Sequence, residues 1–539
     1  MLPSHDVAPA LPPDRSPAAR AHLGRRVGTL TEEGQAFGGR TASLARDLLS
    51  SRRAQWRLCA GALVASAVFL LAHLDSYPIV MWDESRLAVN ALEMYLTGPA
   101  LVTTYNFEPD LWNTKPPLAV WLMAGSMGLF GPSEWALRLP SALSAVATLA
   151  VIMAFSWKLT RSAPAVVLTC VLLVTSSGFY GRHAAATADY DSLLTLFTTS
   201  YVCLLFGAVH RRKPRRGQVL AAGGAITAAI LTKGVAGLIP GVGIVVYLLL
   251  VRRIARPMLT PRYLATAAII VSAAVAFYGL REAAEPGYLQ AVLQNELAGR
   301  YLSTIAGEHQ PAWYFVKVIV ESYFVAGPLL VLLPLGLYVA RGRVRVGILF
   351  AMCIVFGIVL VFSSSATKLR WYIVPAYPFL AAGMALSISA LARTVGQARR
   401  ADQRDRWVAA DTLVLVLSAL ILVIGSFRYV PVSRHYGGSQ GHYGFVFAEL
   451  HSRGIHTVDV VEGGNVNTEG FVQYAPRLRF YTLLWRMRSF HVREIARDPT
   501  TVRRTAGDIV VTCDPRHVNN VRALGTPVGS VRGCMSVRQ

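Results

Sequence analysis

Charge is what this sequence has least of. Only 15% of its 539 residues are Asp, Glu, Lys or Arg, against about 25% in a soluble domain. That shortfall excludes a water-soluble chain of this length. Acids are scarcest, with 30 Asp and Glu against 53 Lys and Arg, a formal net charge of +23. Such a balance can mark a nucleic-acid binder, but no basic patch is interleaved with aromatics in a polar segment, so nucleic acid is excluded as a partner. Cysteine is sparse too. Cys59, Cys170, Cys203 and Cys353 lie in apolar runs, where they read as small core residues. No pair has the CxxC spacing of a metal site. The chain has no internal repeat, no glycine loop of the kind that cradles nucleotide phosphates, and no apolar core near Met1 of the kind a cleavable signal peptide carries.

What is present is apolar length. Hydrophobic residues make up 53% of the chain. Runs of about 20 residues, the length of a bilayer-crossing helix, recur from Trp56 to Phe427. They predict a mostly α, polytopic membrane protein with about eleven spans and at most about 13. The expected spans are 56–74, 135–157, 163–180, 187–209, 218–232, 235–251, 262–280, 313–339, 345–362, 371–392 and 408–427.

Basic residues fix the expected orientation. His210–Arg216, Arg252–Arg256, Arg341–Arg345 and Arg393–Arg406 are Lys/Arg-rich and fall on one side of the spans, the positive-inside pattern. The polar, Arg-rich residues 1–55 then form a disordered cytoplasmic tail, and 56–428 a transmembrane domain with outer loops 75–134 and 281–312. Residues 429–539 contain strand-like runs at His456–Val461 and Asp508–Thr512. They read as a small α/β domain outside the cytoplasm, long enough for a core of its own. The expected location is the inner (plasma) membrane, crossed many times.

The charged residues on the outer side are the candidates for chemistry. The loop 75–134 is far longer than a connection requires. It opens with Asp83-Glu84, followed by apolar residues at Leu87, Ala91, Met94 and Tyr95, the spacing of a surface-lying amphipathic helix. Adjacent residues on a helix point about 100° apart, so Asp83 and Glu84 take different roles: one faces a site while the other pairs or caps the helix. Both acids also suit the positive end of the helix dipole. Lys115 precedes two prolines that hold it extended, either as a phosphate contact or as an interfacial lysine. Asp189 and Asp191 lie at the outer end of a span, where ionisable groups default to function. Their spacing turns them to nearly opposite faces, and Asp189 also suits a helix cap. Lys368 and Arg370 stand on the side that positive-inside leaves poor in cations, so they call for an anionic partner, a lipid headgroup or a bound phosphate. Glu296 and Arg300 occupy the second long loop. His309 has no ligand-like spacing to another His or Cys and reads as a loop hydrogen-bonder.

Taken in order, Asp83-Glu84, Lys115-Pro116-Pro117, Arg138-Leu139-Pro140-Ser141, Asp189-Tyr190-Asp191 with Leu193-Leu194, Leu231-Thr232-Lys233-Gly234, and Lys368 to Pro378 resemble the GT-C membrane glycosyltransferases. Within these the resemblance is to the bacterial group related to the lipid A aminoarabinose transferase and the protein O-mannosyltransferases, over about residues 60–392. The resemblance implies a GT-C-like fold and transfer of a hexosyl or pentosyl unit, with inversion, from a polyprenyl-phosphate donor. The acceptor would be lipid A, a protein or an envelope glycan. It implies Asp83 as general base or acceptor-orienting group, with Asp191 and Glu84 as further catalytic acids. Lys115 would meet the donor phosphate, supported by Lys368, Arg370 and Arg300. Thr114 stands where relatives often carry an acid, so no metal ligand is assigned and no cofactor is certain; a divalent metal stays open. A transporter or lipid-linked sugar flippase is the alternative function. Since the topology puts 429–539 outside the cytoplasm, Cys513 and Cys534 are expected to form a disulfide.

Overall fold

The computed structural model describes residues 51–539 apart from 73, 81, 212–214, 252–260, 303–309, 398–402, 429–442, 464–474, 503–504 and 532. The chain separates into two units, Met1–Leu58 and Cys59–Gln539. Of the first, only the residues that begin helix Arg52–Leu71 are described. His309 and the loop of Arg252–Arg256 lie outside the described residues, as does nearly all of 1–55.

Among the described residues, eight helices are long and apolar enough to cross a membrane: Arg52–Leu71, Glu134–Thr160, Tyr190–Val209, Arg216–Leu238, Ala265–Ala284, Gly342–Ser364, Arg370–Gly396 and Trp407–Phe427. Three shorter apolar helices join them, Leu118–Phe130, Ala163–Val174 and Pro240–Leu250. Their apolar character continues around the outside. Ile269, Val275, Val416 and Phe427 are exposed on the bundle surface, a pattern that costs nothing among lipid tails. Small residues let the backbones approach inside. A Cβ on Gly243 would fall 2.5 Å from Ile354 Cα, and one on Gly357 would fall 2.4 Å from Gly243 N. This is a helix crossing that side chains would block.

The expected spans fall on these helices with one exception. The stretch 313–339 is broken into helix Tyr314–Val318, a π-turn Ile319–Tyr323, a 3₁₀ turn Gly327–Leu329 and helix Leu332–Val339. Phe324 is extended between them, and Pro328, which lacks an N–H, can only start the next helical piece.

Residues 443–539 build a five-stranded sheet. Strands β1 (Thr104–Tyr105) and β2 (Glu108–Pro109) form a small hairpin in the first long loop; β3 to β7 are Thr457–Val461, His491–Ala496, Ile509–Thr512, Thr526–Val531 and Cys534–Arg538. The order is β4-β3-β5-β7-β6, with β3 parallel to β4 and β5, and β7 antiparallel to β5 and β6. One face of the sheet buries Val461, Val510, Val521, Met535 and Val537. The other face does not close on itself. Leu478, Phe480, Tyr481 and Leu484 share one core with Ile79, Leu87, Ala91 and Met94 of the first long loop. Ile79 N donates to Tyr481 Oη at 3.0 Å and Ala475 N to Tyr105 Oη at 3.1 Å. The sheet domain is thereby fused to the helix that begins at Asp83.

Cys513 and Cys534 are bonded, with Cα atoms 4.1 Å apart. The bridge ties the end of β5 to the start of β7. Closing a loop of about 20 residues stabilises by roughly 3 kcal/mol. Cys513→Ser is therefore expected to make protease cleavage within β5–β7 of the full-length protein begin at lower urea. Cleavage at the same urea concentration in both proteins would show that the bridge adds no stability.

Candidate active site

The site is assembled around a buried arginine. Arg138 is 0% exposed and Glu84 1%. Arg138 Nε and Nη2 donate to the two Glu84 carboxylate oxygens at 2.6 and 3.0 Å. Its remaining donors go to the carbonyls of Leu74, Tyr77 and Pro78 at 2.6, 2.9 and 2.8 Å. All five guanidinium N–H groups are thus used. Glu84 in turn accepts from Val80 N at 2.6 Å and Ala188 N at 2.9 Å. One ion pair therefore pins three segments: 74–80, the start of helix Asp83–Thr97, and the turn before Tyr190. Glu84, expected from the sequence as a further catalytic acid, is thus placed outside the cavity lining. It is sealed inside the scaffold, and its neighbour, about 100° around the helix, faces the cavity instead.

That neighbour is Asp83, whose side chain is 37% exposed. The residue before it, Trp82, has φ of 80°, a conformation that side chains adopt only where the surroundings impose it. Asp83 Oδ2 lies 3.6 Å from His183 Nδ1, and Asp189 Oδ2 lies 3.4 Å from the same nitrogen. Asp189 occupies the N-cap position of helix Tyr190–Val209 but makes no capping bond; its carboxylate accepts from Thr187 Oγ1 at 2.6 Å. Helix capping thus does not explain it.

Asp191 meets a different partner. Helix Arg216–Lys233 ends at Gly234, whose φ of 58° is open to glycine and strained for other residues. Just before this break, Lys233 Nζ donates to Asp191 Oδ1 at 2.6 Å. Lys115 lies over the Tyr190 ring, 5.5 Å from its centre, and pairs with Glu296 at 3.1 Å. A buried polar chain holds its loop: Tyr190 Oη donates to Asn113 Oδ1 at 2.9 Å, Asn113 Nδ2 to Asn90 Oδ1 at 2.7 Å, and Asn90 Nδ2 to Asp110 Oδ2 at 3.0 Å. Tyr288 Oη donates to Thr114 O at 2.8 Å. Burial pushes its phenol up, so it remains a neutral donor.

These side chains converge on one small cavity, open to solvent at its mouth. Asp83, Arg86, Asn113, Lys115, Asp189, Tyr190, Asp191, Lys233 and Trp371 line it. Of the residues expected from the sequence, Asp83, Asp191 and Lys115 are brought together there. Lys368 and Arg370 are not in the lining: Lys368 Nζ donates to Ser365 O at 2.7 Å and Arg370 is exposed. At the start of the 3₁₀ helix Arg370–Ala376 it is Trp371 that lines the cavity. The Arg300 side chain lies outside the described residues. Lys233, His183, Arg86 and Asn113 went unassigned in the sequence. The available signal was Lys233 and Asp191 at the mouths of two successive spans. The lining holds both carboxylates able to take a proton and ammonium groups able to meet an anion.

The family model described as dolichyl-phosphate-mannose-protein mannosyltransferase matches residues 114–278. A protein of Erwinia tasmaniensis, called undecaprenyl phosphate-alpha-4-amino-4-deoxy-L-arabinose arabinosyl transferase, is 26% identical over 366 residues, 66% of this chain. The matched stretch spans 65% of that relative's own length. Among solved structures, ArnT from Cupriavidus metallidurans bound to undecaprenyl phosphate aligns with a TM-score of 0.60 at 20% identity, covering 88% of this chain and 97% of that one. Its apo form aligns with a TM-score of 0.61 at 18% identity, over 90% and 98%. The resemblance read from the motifs is borne out, and the chain has the GT-C-like fold of the ArnT structures.

Proposed function

We propose that this protein is a membrane glycosyltransferase that takes a sugar from a polyprenyl-phosphate donor and passes it to a hydroxyl of an acceptor outside the cytoplasm. The observation that carries the proposal is the single cavity in which Asp83 stands with Lys115 and Lys233 at one end of the bundle. In the reaction, the bond between the sugar's anomeric carbon and the phosphate oxygen breaks. A bond forms from the acceptor oxygen on the opposite face, with inversion. The acceptor proton goes to Asp83, a step worth about 10²–10⁴-fold. The phosphate gains charge as the bond breaks, and ammonium groups already in place stabilise it. Lys115 is the first of these. Lys233 becomes a second when the phosphate competes with Asp191 for it. Lipid-binding relatives support the donor class: one neighbour was solved with undecaprenyl phosphate, and the Erwinia relative's name attaches an aminoarabinose to that lipid. A pentose donor therefore leads over a hexose, with lipid A, a protein or an envelope glycan as acceptor. The basic loops support an N-terminus in the cytoplasm and a sheet domain outside it, where a disulfide persists.

Lys115→Ala tests the phosphate contact. A contact that strengthens as the leaving group charges must act on binding and on rate together. The variant is expected to bind undecaprenyl phosphate about tenfold more weakly and to lose more than that in turnover, since a charged hydrogen bond contributes about 1.5–3 kcal/mol. Unchanged affinity together with unchanged turnover would reject the role.

A further inference from the structure

The proposed transfer leaves His183 without a task. Its side chain is 4% exposed, and neither ring nitrogen has a hydrogen-bond partner among the described residues. Nδ1 faces two carboxylates, at 3.4 Å from Asp189 Oδ2 and 3.6 Å from Asp83 Oδ2. Both separations exceed an N–H···O bond, which falls at about 2.7–3.2 Å. They are close to the spacing of neighbouring ligands bound at about 2.0–2.2 Å to one ion, which for a tetrahedron is about 3.4 Å. Ligand atoms of all three residues lie within 4.8 Å of one another. Left alone, the corner holds two like charges beside a buried imidazole without hydrogen bonds, and each feature is unfavourable. A cation removes both.

The surroundings hold these three groups in place as metal ligands are held. Thr187 Oγ1 accepts from His183 N at 2.8 Å and donates to Asp189 Oδ2 at 2.6 Å, orienting two of them at once. The imidazole is stacked on Trp371, with ring centres 3.7 Å apart. The backbone of His183 sits at φ of 61°, a conformation that needs support from its surroundings. Outer contacts of this kind fix ligand orientation at metal sites.

We propose that Asp83, His183 and Asp189 bind one divalent transition-metal cation of the Mn²⁺ or Zn²⁺ class. One imidazole with two carboxylates suits these ions, whereas Ca²⁺ and Mg²⁺ take oxygen ligands. Three protein ligands leave positions open on the ion. Two of the ligands, Asp83 and Asp189, line the same cavity as Lys115 and Lys233, where an oxyanion would be shared between ion and ammonium groups. Asp83 would hold the ion through one oxygen and keep the other for the acceptor. Ion binding stands apart from the transfer reaction, so either reading can fail without the other.

Full-length protein in detergent, stripped with EDTA and dialysed, is titrated with MnCl₂ by loss of the free-ion EPR signal and with ZnCl₂ by calorimetry. The expected result is one saturable site per chain, weakened about tenfold or more in H183Q and in D189N, as loss of a ligand-shell contact weakens metal sites. Another place for such an ion among the described residues is the exposed pair His451 and His456, whose Nδ1 atoms are 3.2 Å apart; H451Q/H456Q is expected to leave the site intact. Absence of any saturable site in the wild-type protein would overturn the proposal, a result that depends on no variant folding. So would binding that survives both H183Q and D189N, or that disappears only in H451Q/H456Q.

Discussion

Asp83→Asn is expected to abolish sugar transfer, by at least about 10²–10⁴-fold, while the protein still folds and inserts. The geometry separates these two outcomes. Asp83 opens the helix that feeds the cavity, is partly exposed there, and lines it. Asparagine keeps its shape and cannot accept the proton. What anchors the helix is the residue beside it, Glu84 on Arg138. Turnover of purified Asp83→Asn within a few-fold of wild type would remove Asp83 from the mechanism. Asp191→Asn is expected to follow Asp83→Asn, because Asp191 holds Lys233 at 2.6 Å inside the same cavity.

The second large effect falls on folding. Arg138→Met leaves Glu84 buried without its counter-charge and frees three backbone carbonyls at once. Removing one partner of a buried pair costs about 3–5 kcal/mol, a large part of the stability of a domain. The variant is expected to give little monodisperse protein and a lowered Tm in detergent. Replacing both partners, as in Arg138→Met with Glu84→Met, is expected to recover part of that loss, because no uncompensated charge remains. Equal Tm values for wild type and Arg138→Met would show that the pair does not hold the site together.

Much of this was legible in the sequence because membranes impose long-range regularity. Apolar runs such as 345–362 and 408–427 show their helices directly, since a bilayer-crossing segment must satisfy its backbone internally. The exception, 313–339, carries Lys317 and Glu321 among its apolar residues and breaks at the extended Phe324, ahead of Pro328, a change of direction that hydrophobicity does not encode. Strands β3 and β5 announced themselves by β-branched runs, and the Cys513–Cys534 bridge by being the two cysteines of that region. That the sheet shares a core with the helix beginning at Asp83 could not be read, since pairing Tyr481 with Ile79 depends on tertiary placement across some 400 residues. Within the site, the alternation of Asp83 and Glu84 followed from helical geometry. Which of Asp189 and Asp191 faces the site did not follow, because the turn before Tyr190 brings both to the cavity: one toward His183, the other toward Lys233. Lys368 and Arg370 lie outside the cavity lining, a placement the sequence does not show because charge on a given side of the membrane says nothing about the direction in which a 3₁₀ turn aims it.

The central claim is that the chain itself transfers sugar from a lipid phosphate, and the direct measurement is made in detergent. There is then no membrane to cross, so a flippase would yield nothing. Lipid extract from cells lacking this protein supplies the donor, and their envelope fraction supplies the acceptor. Mass spectrometry follows both after addition of purified protein. The account predicts that wild-type protein releases free polyprenyl phosphate and adds one sugar mass to an envelope component, and that Asp83→Asn does neither. Donor and acceptor left unchanged by the wild-type protein, or changed equally by Asp83→Asn, would contradict it.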